Sequence, residues 1–275
     1  MSRIDDALRD LRSLDTLAAR PTALARLDPR AKILVTLAFI ITVISFDRYA
    51  IAALLPFAVF PLALAAQGEV PLQLVARKLL LASPFALMVG VFNPLLERAP
   101  QLVLAGFDVS GGWISFLSIL LRFALTVAAA LVLVAGTGFH QVCAGLSRLG
   151  VPQVFTTQLL FLHRYAYVLA GEAARMHAAR ELRAYGASTL GLAAYASLLG
   201  HLLLRALERA QRIHQAMVSR GFDGAVRSNH ATRWSGADSL FAIGWCSCFV
   251  LARMVDLPQL VGGLLVGGMQ IGGMR

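Results

Sequence analysis

Two arginine-bearing segments hold the residues best suited to a chemical task. The first carries Glu172, Arg175, Met176, Arg180, Glu181 and Arg183, and ends at Gly186. At helical spacing Glu172, Met176, Ala179 and Arg183 share one face, and a glycine is a natural helix stop. The second carries Arg205, Glu208, Arg209, Arg212, Met217, Ser219, Arg220 and Gly221, followed by Phe222, Asp223 and Gly224. Here Arg205, Glu208, Arg209 and Arg212 form a charged face, and Gly221 leaves Arg220 in the last turn. A guanidinium stays charged and presents a planar fork that pairs bidentately with a carboxylate. Held at a rigid helix end, it suits docking onto an acidic surface. The ordinary explanation is that cations favour helix C-termini by about 0.3–1 kcal/mol and that glycine caps helices. Two such ends within one polar stretch weigh toward docking.

Catalytic chemistry has few candidates. The only lysines are Lys32 and Lys78, flanked by Ala31 and Ile33 and by Arg77 and Leu79. Neither lies in a glycine-rich phosphate loop, so the chain is not expected to hydrolyse ATP by that route. The six histidines (His140, His163, His177, His201, His214, His230) form no i, i+4 zinc pair with a carboxylate. Cys143, Cys246 and Cys248 fit neither a disulfide framework nor a metal motif. No catalytic residue, cofactor or metal ligand is expected.

The rest of the chain must position those two segments. Of 275 residues 58% are hydrophobic and only 15% charged, against about 25% charged in a soluble domain. The apolar residues gather in five blocks, Ala31–Phe46, Tyr49–Ala66, Leu79–Leu96, Trp113–Val134 and Ser239–Met254. The reading is an all-α integral membrane protein with about five transmembrane helices plus long cytoplasmic helices, which the family resemblance given below makes coupling helices. Four parts follow: a cytoplasmic N-terminal segment 1–30, four spans in 31–134, a cytoplasmic helical region 135–238, and the last span with a glycine-rich tail in 239–275.

The net charge of +10 is nearly all arginine. Basic segments before the first block, between the second and third, and across 135–238 alternate with nearly neutral ones. The positive-inside rule then puts the N-terminus and 135–238 in the cytoplasm of a multi-pass protein of the inner (plasma) membrane. It also accounts for the basic charge without nucleic acid. The N-terminus, with Asp5 and Asp6, does not read as a cleavable signal. Val154–Ala170 and Ala187–Leu204 are apolar enough to resemble spans. Their Gln158, His163, Arg164 and His201 make helices at the cytoplasmic surface the expected reading. Within the spans the polar residues noted are Asn93 and Arg122, too few for a solute pathway.

At its arginine segments the chain resembles the transmembrane (T) component of energy-coupling factor (ECF) transporters, in the cobalt/nickel branch, the CbiQ family. The resemblance covers most of residues 20–250. It rests on Glu172 to Arg183, on Glu208 to Gly224, on Arg26-Leu27-Asp28-Pro29-Arg30-Ala31-Lys32 and on Phe92-Asn93-Pro94-Leu95. It implies a non-catalytic subunit that joins two ATP-binding cassette ATPases to a metal-specific substrate-binding membrane (S) subunit in the lipid bilayer. Two short signatures with a central arginine would dock on the ATPases. Ser219-Arg220-Gly221 matches one. Arg180 and Arg183 are both candidates for the other, and Arg183 is preferred because it lies nearer Gly186. Glu172, Arg175, Glu208, Arg209 and Met217 would support the coupling helices.

Two other classes fit less well. A permease subunit of an ordinary ABC importer carries a Glu-Ala-Ala loop; Glu172-Ala173-Ala174 matches, but the expected glycine position holds Ala178. An integral membrane enzyme needs clustered metal ligands, and the loop after Arg209 offers only Asp223 and Asp238.

Overall fold

The computed structural model describes residues 16–47, 51–96, 100–104, 107–183, 191–224, 226 and 234–254. They form two compact units, residues 17–138 with 234–254, and residues 139–226. Residues 1–15, Gly186, Arg227, His230, Arg233 and the tail from 255 lie outside the described residues.

The first unit holds the apolar helices. Helix α1 (Pro29–Ile44) starts on Asp28, whose side chain accepts the Arg30 N–H at 2.9 Å, with Pro29 at a position where its missing N–H is no loss. Then come α2 (Ile51–Leu54), a 3-10 turn (Leu55–Ala58) and α3 (Val59–Gln67). The turn holds Pro56, which cannot donate to a continuous α-helical ladder, so the second apolar block is not one uniform helix. Helix α4 (Leu72–Leu96) begins before its apolar block, because Arg77 and Lys78 are good helix formers and continue it. Strands β1 (Pro100–Leu104) and β2 (Phe107–Ser110) pair antiparallel, a small hairpin the block pattern did not foresee. Helices α5 (Gly111–Thr137) and α9 (Gly236–Met254) complete the unit.

Among the described residues, three stretches are long and apolar enough to cross a membrane: Leu72–Asn93, Gly112–Thr137 and Gly236–Met254. Helix α1 has 16 residues, about 24 Å at 1.5 Å per residue, shorter than a hydrocarbon core of about 30 Å. The chain is a helical integral membrane protein, with the hairpin as its one small β element among the described residues.

Aromatic packing joins α1, the region around α3, and α9. Phe39 is fully buried, with its ring 4.6 Å from Phe60 and 5.5 Å from Phe249. Trp245 meets Phe60 edge-on at 4.9 Å. Helices α4 and α5 approach closely at Gly90: a Cβ there would lie 2.7 Å from the Phe116 ring. Nearby, the Asn93 amide donates to the Ser115 hydroxyl at 2.9 Å. Arg122, from inside α5, donates to the Asp47 carbonyl, and Arg253 of α9 donates to the Ser45 carbonyl at 3.1 Å. Both cations thus sit at the C-terminal, negative end of α1. Arg122 thereby caps the end of α1.

The second unit is built on α6 (Phe139–Arg148), α7 (Gln153–Arg183) and α8 (Leu192–Val218). Helix α7 is 31 residues long and α8 is 27. The apolar stretch Val154–Ala170 and the arginine segment after it are therefore one helix. Residues 192–204 likewise run without a break into the second arginine segment.

Candidate functional site

Three contacts between α7 and α8 define how they lie. Arg180 donates to the Ala194 carbonyl at 3.3 Å. Arg205 donates to Glu172 at 2.5 Å. Beyond the end of α8, the Phe222 ring lies 6.4 Å from that of Phe161. Numbers fall along α7 as they rise along the partner, so the two helices run antiparallel. Arg183 and Arg220 consequently lie at opposite ends of the pair. Residues 161 to 183 span roughly 30 Å of helix axis at 1.5 Å per residue.

At one end, α8 closes through a double-bonded turn. The Gly221 N–H donates to the Val218 carbonyl at 2.9 Å and the Phe222 N–H to the Met217 carbonyl at 3.0 Å. This is the Schellman pattern, which needs a left-handed residue at its corner; Gly221 supplies it with φ 78°. The Ser219 hydroxyl donates back to the Gln215 carbonyl at 2.9 Å. Arg220 is exposed on this fixed turn. Met217 is half-buried, and the Phe222 ring faces Phe161 of α7.

At the other end, the two candidate arginines of α7 differ. Arg180 is half-buried and engaged with Ala194, whereas Arg183 is exposed as the last residue of the helix. Arg180 therefore bridges the two helices, and Arg183 is the more exposed of the two.

Between the ends lies Glu172. One carboxylate oxygen accepts from Arg175 on its own helix and the other from Arg205 across the gap, each at 2.5 Å. These two hydrogen bonds hold its carboxyl below the usual carboxylate range. The guanidinium groups are 68% and 60% exposed, so water screens the attraction and its energetic worth is modest. Glu208 and Arg209 lie exposed along the same strip, where Arg212 donates to the Glu208 carbonyl at 3.3 Å.

Two clefts flank this strip. One, of about 600 Å³, is apolar and lined by Phe161, Leu162, Tyr165, Leu207, Ile213 and Met217 among others. The other, of about 580 Å³, is basic: Arg175, Arg180, Arg183, Arg205 and His201 line it, with Glu172 as the one acid among its lining residues.

Among the histidines, His163 is engaged in ring packing. Phe139 stacks on His163 at 4.4 Å and Tyr167 meets the same ring edge-on at 5.2 Å. Among the described residues, no group of three His, Cys, Asp or Glu is placed to hold a metal ion. Cys143 is buried, and that burial pushes its thiol pKa up.

Sequence reasoning missed a second polar centre, in the first unit. Asp238 accepts the Asp28 N–H at 2.7 Å, the Ser235 N–H at 2.8 Å and the Ser235 hydroxyl at 2.9 Å. Lys32 beside it is 1% exposed and donates to the Leu24 carbonyl at 3.0 Å. The spacing of Ser235 and Asp238 ahead of an apolar run is a capping-box signal, and Asp28-Pro29 is a helix start. Each could have been read locally, but not their meeting.

The chain matches the CbiQ cobalt transport protein family over residues 21–232. It is 32% identical over 146 residues to the cobalt transport protein CbiQ of Salmonella typhimurium, covering 48% of this chain and 64% of that one. It is also 32% identical over 82 residues to a proposed fused cobalt transport protein, CbiMQ, of Methanocorpusculum labreanum, covering 30% of this chain and 14% of that one. The chain thus spans less than two thirds of either relative. The match to the family covers well over half of this sequence and includes both arginine segments: the chain belongs to the CbiQ family of cobalt transport proteins.

Proposed function

We propose that this chain is the transmembrane coupling subunit of an ECF-type importer for cobalt or nickel ions. Two ATP-binding cassette ATPases supply the energy, and a separate substrate-binding membrane subunit captures the metal. The chain itself is non-catalytic and transmits motion between them. It lies in the inner membrane with its N-terminus and residues 135–238 in the cytoplasm, in line with the arginine distribution.

The observation that carries this reading is the placement of Arg183 and Arg220. Both are exposed, and they occupy opposite ends of one antiparallel helix pair. Two ATPases that close on ATP can each take one end, with a carboxylate on each ATPase receiving the guanidinium fork. A rigid pair then turns their closure into movement of a single body.

The test is reconstitution. Purified chain alone should show no ATP hydrolysis. With its ATPases and substrate-binding subunit in lipid vesicles, hydrolysis and cobalt uptake should appear together. Robust hydrolysis by the isolated chain would refute the coupling role.

A further inference from the structure

The basic cleft between α7 and α8 poses an electrostatic problem. Arg175, Arg180, Arg183 and Arg205 crowd one space of about 580 Å³. Like charges this close repel, and a pair of helices bearing them tends to splay. Arg180 is spoken for by the Ala194 carbonyl near one end of the pair. Toward the middle, the counter-charge is Glu172, which uses both oxygens, one on Arg175 and one on Arg205. Its side chain is 16% exposed because the two guanidinium groups cover it. The packing at Phe161 and Phe222 closes the other end. Glu172 therefore sits between two end contacts, where a hinge would otherwise open.

We infer that Glu172 is a positioning residue that clamps α7 to α8 through Arg205, so that Arg183 and Arg220 move as one lever. The inference rests on the coupling role proposed above. Neither Glu172 nor Arg205 is needed to hold an ATPase, since the docking arginines remain at the ends. What the clamp supplies is stiffness between them. Without it, closure of the ATPases bends the pair instead of moving it, and ATP is hydrolysed without transport.

The experiment has two arms. In the assembled complex in vesicles, cobalt transported per ATP hydrolysed is measured for Glu172→Gln, Arg205→Ala and the double variant. Each single variant should keep its ATPases on co-purification and lose about fivefold or more in that ratio, the low end of ordinary coupling energies. The double variant should be no worse than the poorer single one, as for two residues acting through one contact. Arg205→Lys, which keeps the charge but not the fork, should fall between parent and Arg205→Ala.

In the second arm, spin labels on Leu182→Cys and Val218→Cys, both exposed sites at opposite ends of the pair, report its end-to-end distance, which bending changes. The full-length chain, otherwise free of cysteine, is measured alone in lipid nanodiscs. The distance distribution should be narrow with Glu172 present and clearly broader with Glu172→Gln. An unchanged distribution, a parental transport ratio, or losses that multiply in the double variant would overturn the clamp. Failure of the parent chain to bind ATPases would instead overturn the coupling role, and the label distances would still report on the clamp.

Discussion

Asp238 accepts the backbone N–H of Asp28 at 2.7 Å across 210 residues of sequence. The bond ties the start of α9 to the start of α1. Both side chains are 2% exposed, and Lys32 lies buried with them. The same carboxylate caps its own helix through Ser235, so one residue organises two helix N-termini.

Asp238→Ala should therefore destabilise the membrane unit. It strands the Asp28 N–H and leaves the Lys32 charge with less compensation. An unsatisfied buried donor costs about 1–3 kcal/mol. Asp238→Asn, which keeps an accepting oxygen, should cost less. Thermal unfolding in detergent measures both, and a melting temperature for Asp238→Ala equal to the parent's would show that the latch contributes nothing.

Gly221→Ala should loosen the end of α8. A Cβ at φ 78° meets no neighbour within 4 Å, so the penalty is purely that of the backbone, about 1–2 kcal/mol. Hydrogen exchange should quicken at the amides of Gly221 and Phe222, which close the turn, while mid-helix amides stay protected. Parental protection at those two amides would mean that the turn tolerates the side chain.

These two cases show what was legible in the sequence. The glycine stop after Arg220 was readable because a Schellman turn is local: its bonds join residues within one turn of helix. Most of the apolar blocks were readable for the same reason, each lying within one helix. Leu72 to Lys78 were not, because a charged residue ends an apolar block without ending a helix. The break at Pro56 was hidden inside an apolar run. The Asp28–Asp238 bond has local signals at each end and none for the pairing. The bond from Arg180 to the Ala194 carbonyl was not readable either, because Ala194 has no side-chain chemistry to announce it.

Glu172 should titrate below the ordinary carboxylate value, because Arg175 and Arg205 both donate to its charged form. With its folded pKa depressed, its stabilising contribution is full above the unfolded pKa and is lost as pH falls through the lower folded value. The side-chain carboxyl of Glu172, followed by carbon NMR, should show a midpoint under 4.5. A midpoint at or above that value would mean that the two arginines do not hold it in solution.

Cys143 should resist thiol reagents in the folded protein. It is 1% exposed, and burial raises its pKa above the ordinary 9.0, so little thiolate forms at neutral pH. Water-soluble maleimide at pH 7 should label it only after denaturation. Rapid labelling of Cys143 in the native chain would contradict the packing of α6.

Arg183 and Arg220 carry the central claim. The complex with both ATPases and the substrate-binding subunit is purified for Arg220→Ala, Arg220→Lys, Arg183→Ala and Arg180→Ala, and cobalt uptake is measured in cells expressing it. Removing one partner of a buried charge pair costs about 3–5 kcal/mol. Arg220→Ala should therefore lose its ATPases and abolish uptake or nearly so, while Arg220→Lys rescues only in part, because a point charge cannot replace the fork. Arg183→Ala should follow Arg220→Ala, and Arg180→Ala should be milder. The most direct measurement is uptake and ATPase retention by Arg220→Ala: the coupling account predicts loss of both in a chain that still inserts in the membrane, and parental uptake with ATPases retained would contradict it.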